Sequence, residues 1–361
     1  MPHDFVIVGS GFGGAVSACR LAARGDDVLV LERGRNWDPK DYPRDEDDAW
    51  IWDSDEPHKQ NGWIDLRIMD QMWVAQGAGV GGGSLIYANV SIDAPPESFD
   101  DGWPSAITAD ELAPYYAKAS GMLRPMPIPD GQLTERFKLM REAADAADVS
   151  DRFQKVDLAV TFDEDWNYDL DDPTNEKHSG RWTNAHGEEQ GTCIHCGNCD
   201  IGCSVHAKNT LDLNYLAAAK KCGATIQPLS FVSHVESLDG TWRVHYERLE
   251  DGRRIAAYVD AKRVILAAGS LGSTEILLRS RDQYKTLPNI SPALGHRWSS
   301  NGDFLTPAAY EEREISPTIG PTITAAIDFL KDGKDGARFF VEDGGFPNVL
   351  GNFVNRITKY T

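Results

Sequence analysis

The sequence predicts an α/β protein, with a Rossmann-like dinucleotide-binding domain assembled from discontinuous segments and an α+β portion built on an antiparallel sheet. Three observations carry the prediction. A short apolar run, DFVIV at residues 4–8, leads into Gly9-Ser10-Gly11-Phe12-Gly13-Gly14 and an Ala-rich helical pattern reaching about Arg24, which is the strand, turn and helix of a dinucleotide fingerprint. A second apolar strand, Val28–Leu31, ends in Glu32, 18 residues beyond Gly14. Much later RVILA at 263–267 precedes Ala268-Gly269-Ser270-Leu271-Gly272-Ser273 and a helical stretch to Arg279, so the chain returns to the same sheet.

Each residue of the fingerprint has a physical task. Gly9 permits the tight turn, Gly11 lets the backbone approach a pyrophosphate, and Gly14 lets helix pack closely on strand, with the phosphates at the helix N-terminus. Glu32 is placed to accept hydrogen bonds from ribose hydroxyls. These contacts are shared by FAD and NAD, so the unit alone leaves the dinucleotide open. A second glycine cluster at 76–84, QGAGVGGGS, is dense enough that the main chain must pass very near a bulky group or turn repeatedly.

Between these blocks, 104–122 and 133–147 show helical apolar spacing, the first with Thr108-Ala109-Asp110-Glu111 as its start. Residues 37–73 hold Trp37, Trp50, Trp52, Trp63 and Trp73 among acidic residues and prolines. They read either as an aromatic cover over an apolar substrate or as anchors of a long loop. From 231 to 266 the pattern becomes strands, and Glu250-Asp251-Gly252 marks a hairpin turn. His234 and His245 fall in these strands as packed or surface histidines.

Composition narrows the function classes. Of 361 residues, 41% are hydrophobic and 25% charged, and 36 Lys plus Arg against 56 Asp plus Glu leave a net charge of −20. Such a balance repels phosphate backbones and anionic lipid heads, which excludes nucleic acid as a partner and argues against stable membrane insertion. No basic leader or run of about 18 apolar residues occurs, giving the expectation of a cytoplasmic protein.

Four of the six cysteines crowd into eleven residues. Cys193, Cys196, Cys199 and Cys203 give C-x2-C-x2-C-x3-C, the spacing of a bacterial ferredoxin run except that Ser204 replaces the proline. In that run the fourth cysteine serves a second cluster, and no second run exists here. An iron–sulfur cluster, a zinc ion, and unmetallated thiols or a local disulfide all stay open. His195 and His206 flank the cysteines and read as ligands or, the expectation for each, as solvent-facing or structural residues.

Four segments, DQMWVAQGAGVGGGSL (70–85), KNTLDLNYLAAA (208–219), RVILAAGSLGSTEILLRSRD (263–282) and LPNISPALGHRWSSNGDFLT (287–306), resemble in order the cholesterol oxidase-like branch of the glucose-methanol-choline (GMC) oxidoreductases. The resemblance implies FAD as cofactor and oxidation of the CH–OH group of a bulky secondary alcohol such as a sterol, with hydride passing to flavin N5 and electrons to oxygen or a redox partner. It places Gly82, Gly83 and Ser84 along the flavin, Val232 against adenine through its backbone, and Gly269 at the return to the sheet. Where the family carries Asn-Gly-Gly, this chain has Tyr87-Ala88-Asn89. The segment FFVEDGGFP (339–347) resembles the one whose glutamate moves a proton within the steroid ring, which gives Glu342 that role.

The resemblance also implies a histidine and asparagine in a C-terminal segment. The last histidine here is His296, so an incomplete chain, inactive alone, is expected. The implied organisation is 1–105 and 191–302 for the FAD-binding domain, 106–190 for a helical substrate-side insertion, and 303–361 for an incomplete substrate-domain part. An iron–sulfur-linked alcohol or sugar dehydrogenase and a non-catalytic flavin-binding fragment are the competing readings.

Overall fold

The computed structural model describes residues 1–350 apart from 100–101, 309, 311–312, 314 and 334–336. Residues 351–361 of the expected substrate-domain part lie outside the described residues. The chain divides into two compact units: Met1–Pro43 with Asp47–Leu85 and Leu211–Glu312, and Arg44–Glu46 with Ile86–Thr210 and Arg313–Thr361. No helix among the described residues is long and apolar enough to cross a membrane.

The first unit is built on one six-stranded sheet, in the order Thr225–Gln227, Val28–Leu31, His3–Val8, Arg253–Leu266, Trp242–Glu250, Ser230–Ser237. The first four strands run parallel and the last two join antiparallel. Val28–Leu31 is buried at every position, the signature of a parallel strand covered on both faces. The helix Phe12–Ala23 buries Gly14, Ala15, Ala18, Cys19 and Ala22, a stripe of small side chains at helical spacing that permits close packing.

Arg253–Leu266 does two jobs. Its first half pairs antiparallel with Trp242–Glu250, and its end pairs parallel with His3–Val8. The hairpin before it turns at Asp251 (φ 48°) and Gly252 (φ 70°), both left-handed as a two-residue primed turn requires. On the strands His234 stacks on His245 at 4.1 Å and on Tyr284 at 3.7 Å, so these histidines are packed.

Residues 37–73 are not a plain loop. Ile64–Ile68 and Trp73–Gly77 form an antiparallel hairpin, missed because their mixed polarity hides the period of two. Trp37, Trp52 and Trp63 are buried anchors, and Trp37 Nε1 donates to the carbonyl of Ala78 at 2.9 Å. Trp73 lies exposed on its strand.

In the second unit, Phe340–Glu342, Ala325–Asp328 and Phe153–Lys155 make a three-stranded antiparallel sheet. The helix Glu135–Ala146 packs on it, with Phe137 edge-on to Phe153 at 5.1 Å. Thr108 caps the helix Ala109–Leu123 by accepting from the Glu111 N–H at 3.2 Å, at the start the sequence marked. A core of Ile128, Val156, Leu158, Val160, Phe162, Ile194 and Val205 also takes in Cys193.

Candidate functional site

The fingerprint residues meet where the parallel strands of the first unit end. Gly9 has φ 96°, and a Cβ there would lie 2.5 Å from the Ala267 carbonyl oxygen; a Cβ on Gly14 would overlap the carbonyl oxygen of Gly9. Both positions are therefore forced by the main chain. Glu32 is buried, and its charge is met by donors: Ser10 gives its N–H at 2.9 Å and its hydroxyl at 2.6 Å to Oε2, and the Gly34 N–H reaches Oε1 at 2.9 Å. A carboxylate offers about four acceptor positions, so one remains for a ligand hydroxyl.

Ser10 is the residue that sequence reading missed. It is fully buried, and its hydroxyl oxygen accepts from the Gly81 N–H at 3.0 Å, joining Glu32 to the second glycine cluster. Its place between the first two fingerprint glycines was the available signal.

The second cluster folds directly onto the turn. A Cβ on Gly82 would sit 2.7 Å from Gly11 Cα. Ser84, fully buried, donates to the Gly81 carbonyl at 2.8 Å and accepts from the Leu211 N–H at 3.1 Å, so its hydroxyl holds the bend. Gly11 and Gly83 differ from their neighbours. A Cβ on Gly11 would find its nearest protein atom at 3.9 Å, and one on Gly83 would find none within 4 Å. Among the described residues no contact demands glycine at either position, which is what a cradle for a closely approaching ligand requires, and the residues present fit a dinucleotide.

Gly269 (φ 76°) opens the helix Gly269–Leu278, and the adjoining Ala267 N–H donates to Val8 O at 2.8 Å. Val232 lies on the edge strand, whose start is tied to the end of the second strand by Ser230 N–H to Glu32 O at 2.7 Å. The Val232 carbonyl accepts from Arg279 Nη2 at 3.2 Å, at the point where the strand register shifts.

The second unit brings Cys193, Cys196, Cys199 and Cys203 to one cavity of about 20 Å³. Burial pushes the Cys193 thiol well above its usual range and that of Cys196 up to about 12; it raises Cys199 too, against the pull of the Lys208 ammonium. Lys208 is buried and donates to the carbonyls of Tyr87 at 2.7 Å and Cys199 at 2.8 Å. Among the described residues no three His, Cys, Asp or Glu side chains converge as a single-ion site, and all six cysteines are free. No disulfide is formed, and neither a zinc ion nor an iron–sulfur cluster is shown by this arrangement.

His195 is structural. It is fully buried, stacks on Trp166 at 4.0 Å, and pairs its Nε2 with Gln132 Oε1 at 2.9 Å, while burial lowers its pKa to about 3. His206 Nδ1 lies 3.1 Å from the Glu189 carbonyl.

Glu342 is half-buried on its strand. The more deeply buried carboxylate of this segment is its neighbour Asp343, which pairs with Arg136 Nη1 at 2.5 Å and accepts from the Thr324 and Ala325 N–H groups at 2.6 and 2.7 Å. Asn89 is fully buried at φ 72°, and among the described residues neither of its amide atoms has a hydrogen-bond partner, in the stretch where the sequence departs from the family pattern.

A glycine turn, a buried acid after the second strand and a cradle free of side chains define a dinucleotide-binding protein. Residues 7–37 match the family model for the NAD(P)-binding Rossmann-like domain, and 174–309 match that for GMC oxidoreductase. A cholesterol oxidase of Acinetobacter baumannii is 31% identical over 90% of this chain and 59% of its own length. One of Mycobacterium tuberculosis is 33% identical over 90% and 56%, and a long-chain-alcohol oxidase of Arabidopsis thaliana 25% identical over 99% and 49%. Over residues 174–309 the chain is similar to the GMC oxidoreductases, and along most of its length to the two cholesterol oxidases. It spans a little over half the length of the two cholesterol oxidases.

Proposed function

We propose that this protein is an FAD-dependent oxidoreductase that oxidises the CH–OH group of a bulky secondary alcohol such as a 3-hydroxysteroid. One observation carries the reading: the Gly9–Gly14 turn, Glu32 and the Gly81–Gly83 bend converge at one end of the parallel strands, with Gly11 and Gly83 unexplained by protein contacts. When bound, FAD supplies a two-electron acceptor for the hydride of the alcohol carbon. Gly11 and Gly83 admit the cofactor against the main chain. Glu32 accepts a ribose hydroxyl on its remaining position, and Val232 and Gly269 present main chain to the dinucleotide. Gly82 and Ser84 hold the bend in place. Glu342 takes a proton from the oxidised ring and returns it. The names of the cholesterol and long-chain-alcohol oxidases support a bulky apolar alcohol as substrate. Six free cysteines suit a reducing compartment such as the cytoplasm.

Reconstitution with FAD should yield a yellow protein whose flavin absorption bleaches anaerobically when cholesterol is added. Glu342→Gln should keep the bleaching and release the unisomerised ketone. Protein left colourless would overturn the cofactor, and flavin that another secondary alcohol bleaches but no 3-hydroxysteroid does would overturn the substrate class. A dehydrogenase reading, with electrons leaving singly for an external acceptor instead of oxygen, is favoured by the four thiols on one cavity.

A further inference from the structure

We infer that Cys193, Cys196, Cys199 and Cys203 together hold one [4Fe–4S] cluster in the cavity they line. This goes beyond the flavin reading and does not rest on it. The spacing alone leaves the fourth cysteine's destination open, because in a ferredoxin run it leaves for a second cluster. Here the chain makes a 3-10 turn at Cys199–Ile201, passes Gly202 at φ 99°, and returns Cys203 to the cavity of the other three. Arg44 pins that return, donating to the carbonyls of Ile201 at 2.6 Å and Gly202 at 2.7 Å.

Two of the sulfurs also have a main-chain N–H directed at them: His195 N lies 3.4 Å from Cys193 Sγ and Ala207 N 3.2 Å from Cys203 Sγ. A neutral thiol is a weak acceptor; main-chain N–H donors on the sulfurs suit cluster thiolates, whose potential such bonds tune. Lys208 adds a buried positive charge on the wall of the same cavity, which suits an anionic cluster. The segment closing over the loop is fixed too: Gly320 N–H donates to His195 O at 2.9 Å, and a Cβ on Gly197 would overlap the Thr318 carbonyl.

The test uses the full chain purified without oxygen, then reconstituted with ferric iron, sulfide and dithiothreitol, the thiol reducing part of the iron. Iron, acid-labile sulfide, zinc and flavin are measured separately. About four irons and four sulfides per chain are expected, with a broad visible band that bleaches on dithionite and an electron paramagnetic resonance signal of the reduced protein. Cys196→Ser and Cys203→Ser should each lose that signal, and Cys222→Ser should keep it. Zinc in place of iron, no metal in a chain of native circular dichroism, three irons per chain, or a signal that survives Cys203→Ser would each overturn the assignment. Because wild-type metal content decides on its own, a variant that fails to fold does not leave the matter open. A colourless apoflavoprotein that still loads iron would defeat the flavin reading alone.

Discussion

At the Gly9–Gly14 turn the chain leaves ordinary backbone through glycine, whereas along residues 193–207 it does so at His195 and His206 as well as at Gly197 and Gly202. In the turn, main-chain collisions dictate the residue type at Gly9 and Gly14. In the cysteine loop the left-handed histidines cost about 1–2 kcal/mol each, and the shape is held from outside. Arg136 does much of this: its Nη2 donates to the carbonyls of Ile319 at 3.1 Å and Pro321 at 2.7 Å, and its Nη1 to that of Thr322 at 3.1 Å. One site is shaped by its own sterics, the other by a clamp from distant sequence.

That contrast can be broken most strongly at the clamp. Arg136→Met leaves Asp343 buried without its cation, and should cost about 3–5 kcal/mol. Hydrogen exchange should rise over residues 193–207 and 317–324 while the glycine turn keeps its protection. Equal loss of protection in both places would erase the distinction. Next comes Gly14→Ala, where the added Cβ must displace the Gly9 carbonyl; about 3 kcal/mol is expected in urea unfolding, together with loss of FAD binding.

Ser10→Ala probes whether the turn too depends on side chains. It removes the hydroxyl shared by Glu32 and Gly81 and leaves two buried groups short of a partner, an expected loss of about 1–3 kcal/mol and a weaker hold on FAD. The smallest effect on stability belongs to Gly83→Ala, whose Cβ meets nothing. The unfolding midpoint without cofactor should stay within about 0.5 kcal/mol of the parent, yet FAD affinity measured by flavin fluorescence should fall at least tenfold. Unchanged affinity would remove Gly83 from the cradle.

The same contrast explains what was legible in sequence. The turn, Glu32, the return at Gly269 and the Asp251-Gly252 hairpin were readable because each is a local steric demand with a fixed spacing. The hairpin of Ile64–Ile68 with Trp73–Gly77 was not, since it lacks clean alternation. Nor was the clamp, whose partners Arg136 and Asp343 lie 207 residues apart and carry no local pattern. The four cysteines announced a site, but only their tertiary arrangement shows that the fourth shares the cavity of the rest. Glu342 was read from resemblance and is half-buried, beside the more deeply buried Asp343.

The strand His3–Val8 is flanked by Val28–Leu31 on one side and by the end of Arg253–Leu266 on the other. During synthesis its second neighbour emerges from the ribosome more than 250 residues later, a wait on the order of ten seconds to a minute at ordinary translation speeds. Throughout that interval the nascent edge Phe5-Val6-Ile7-Val8 offers an unpaired, apolar ladder to other chains. Chaperone supply should therefore govern the yield of this protein more than its final stability does.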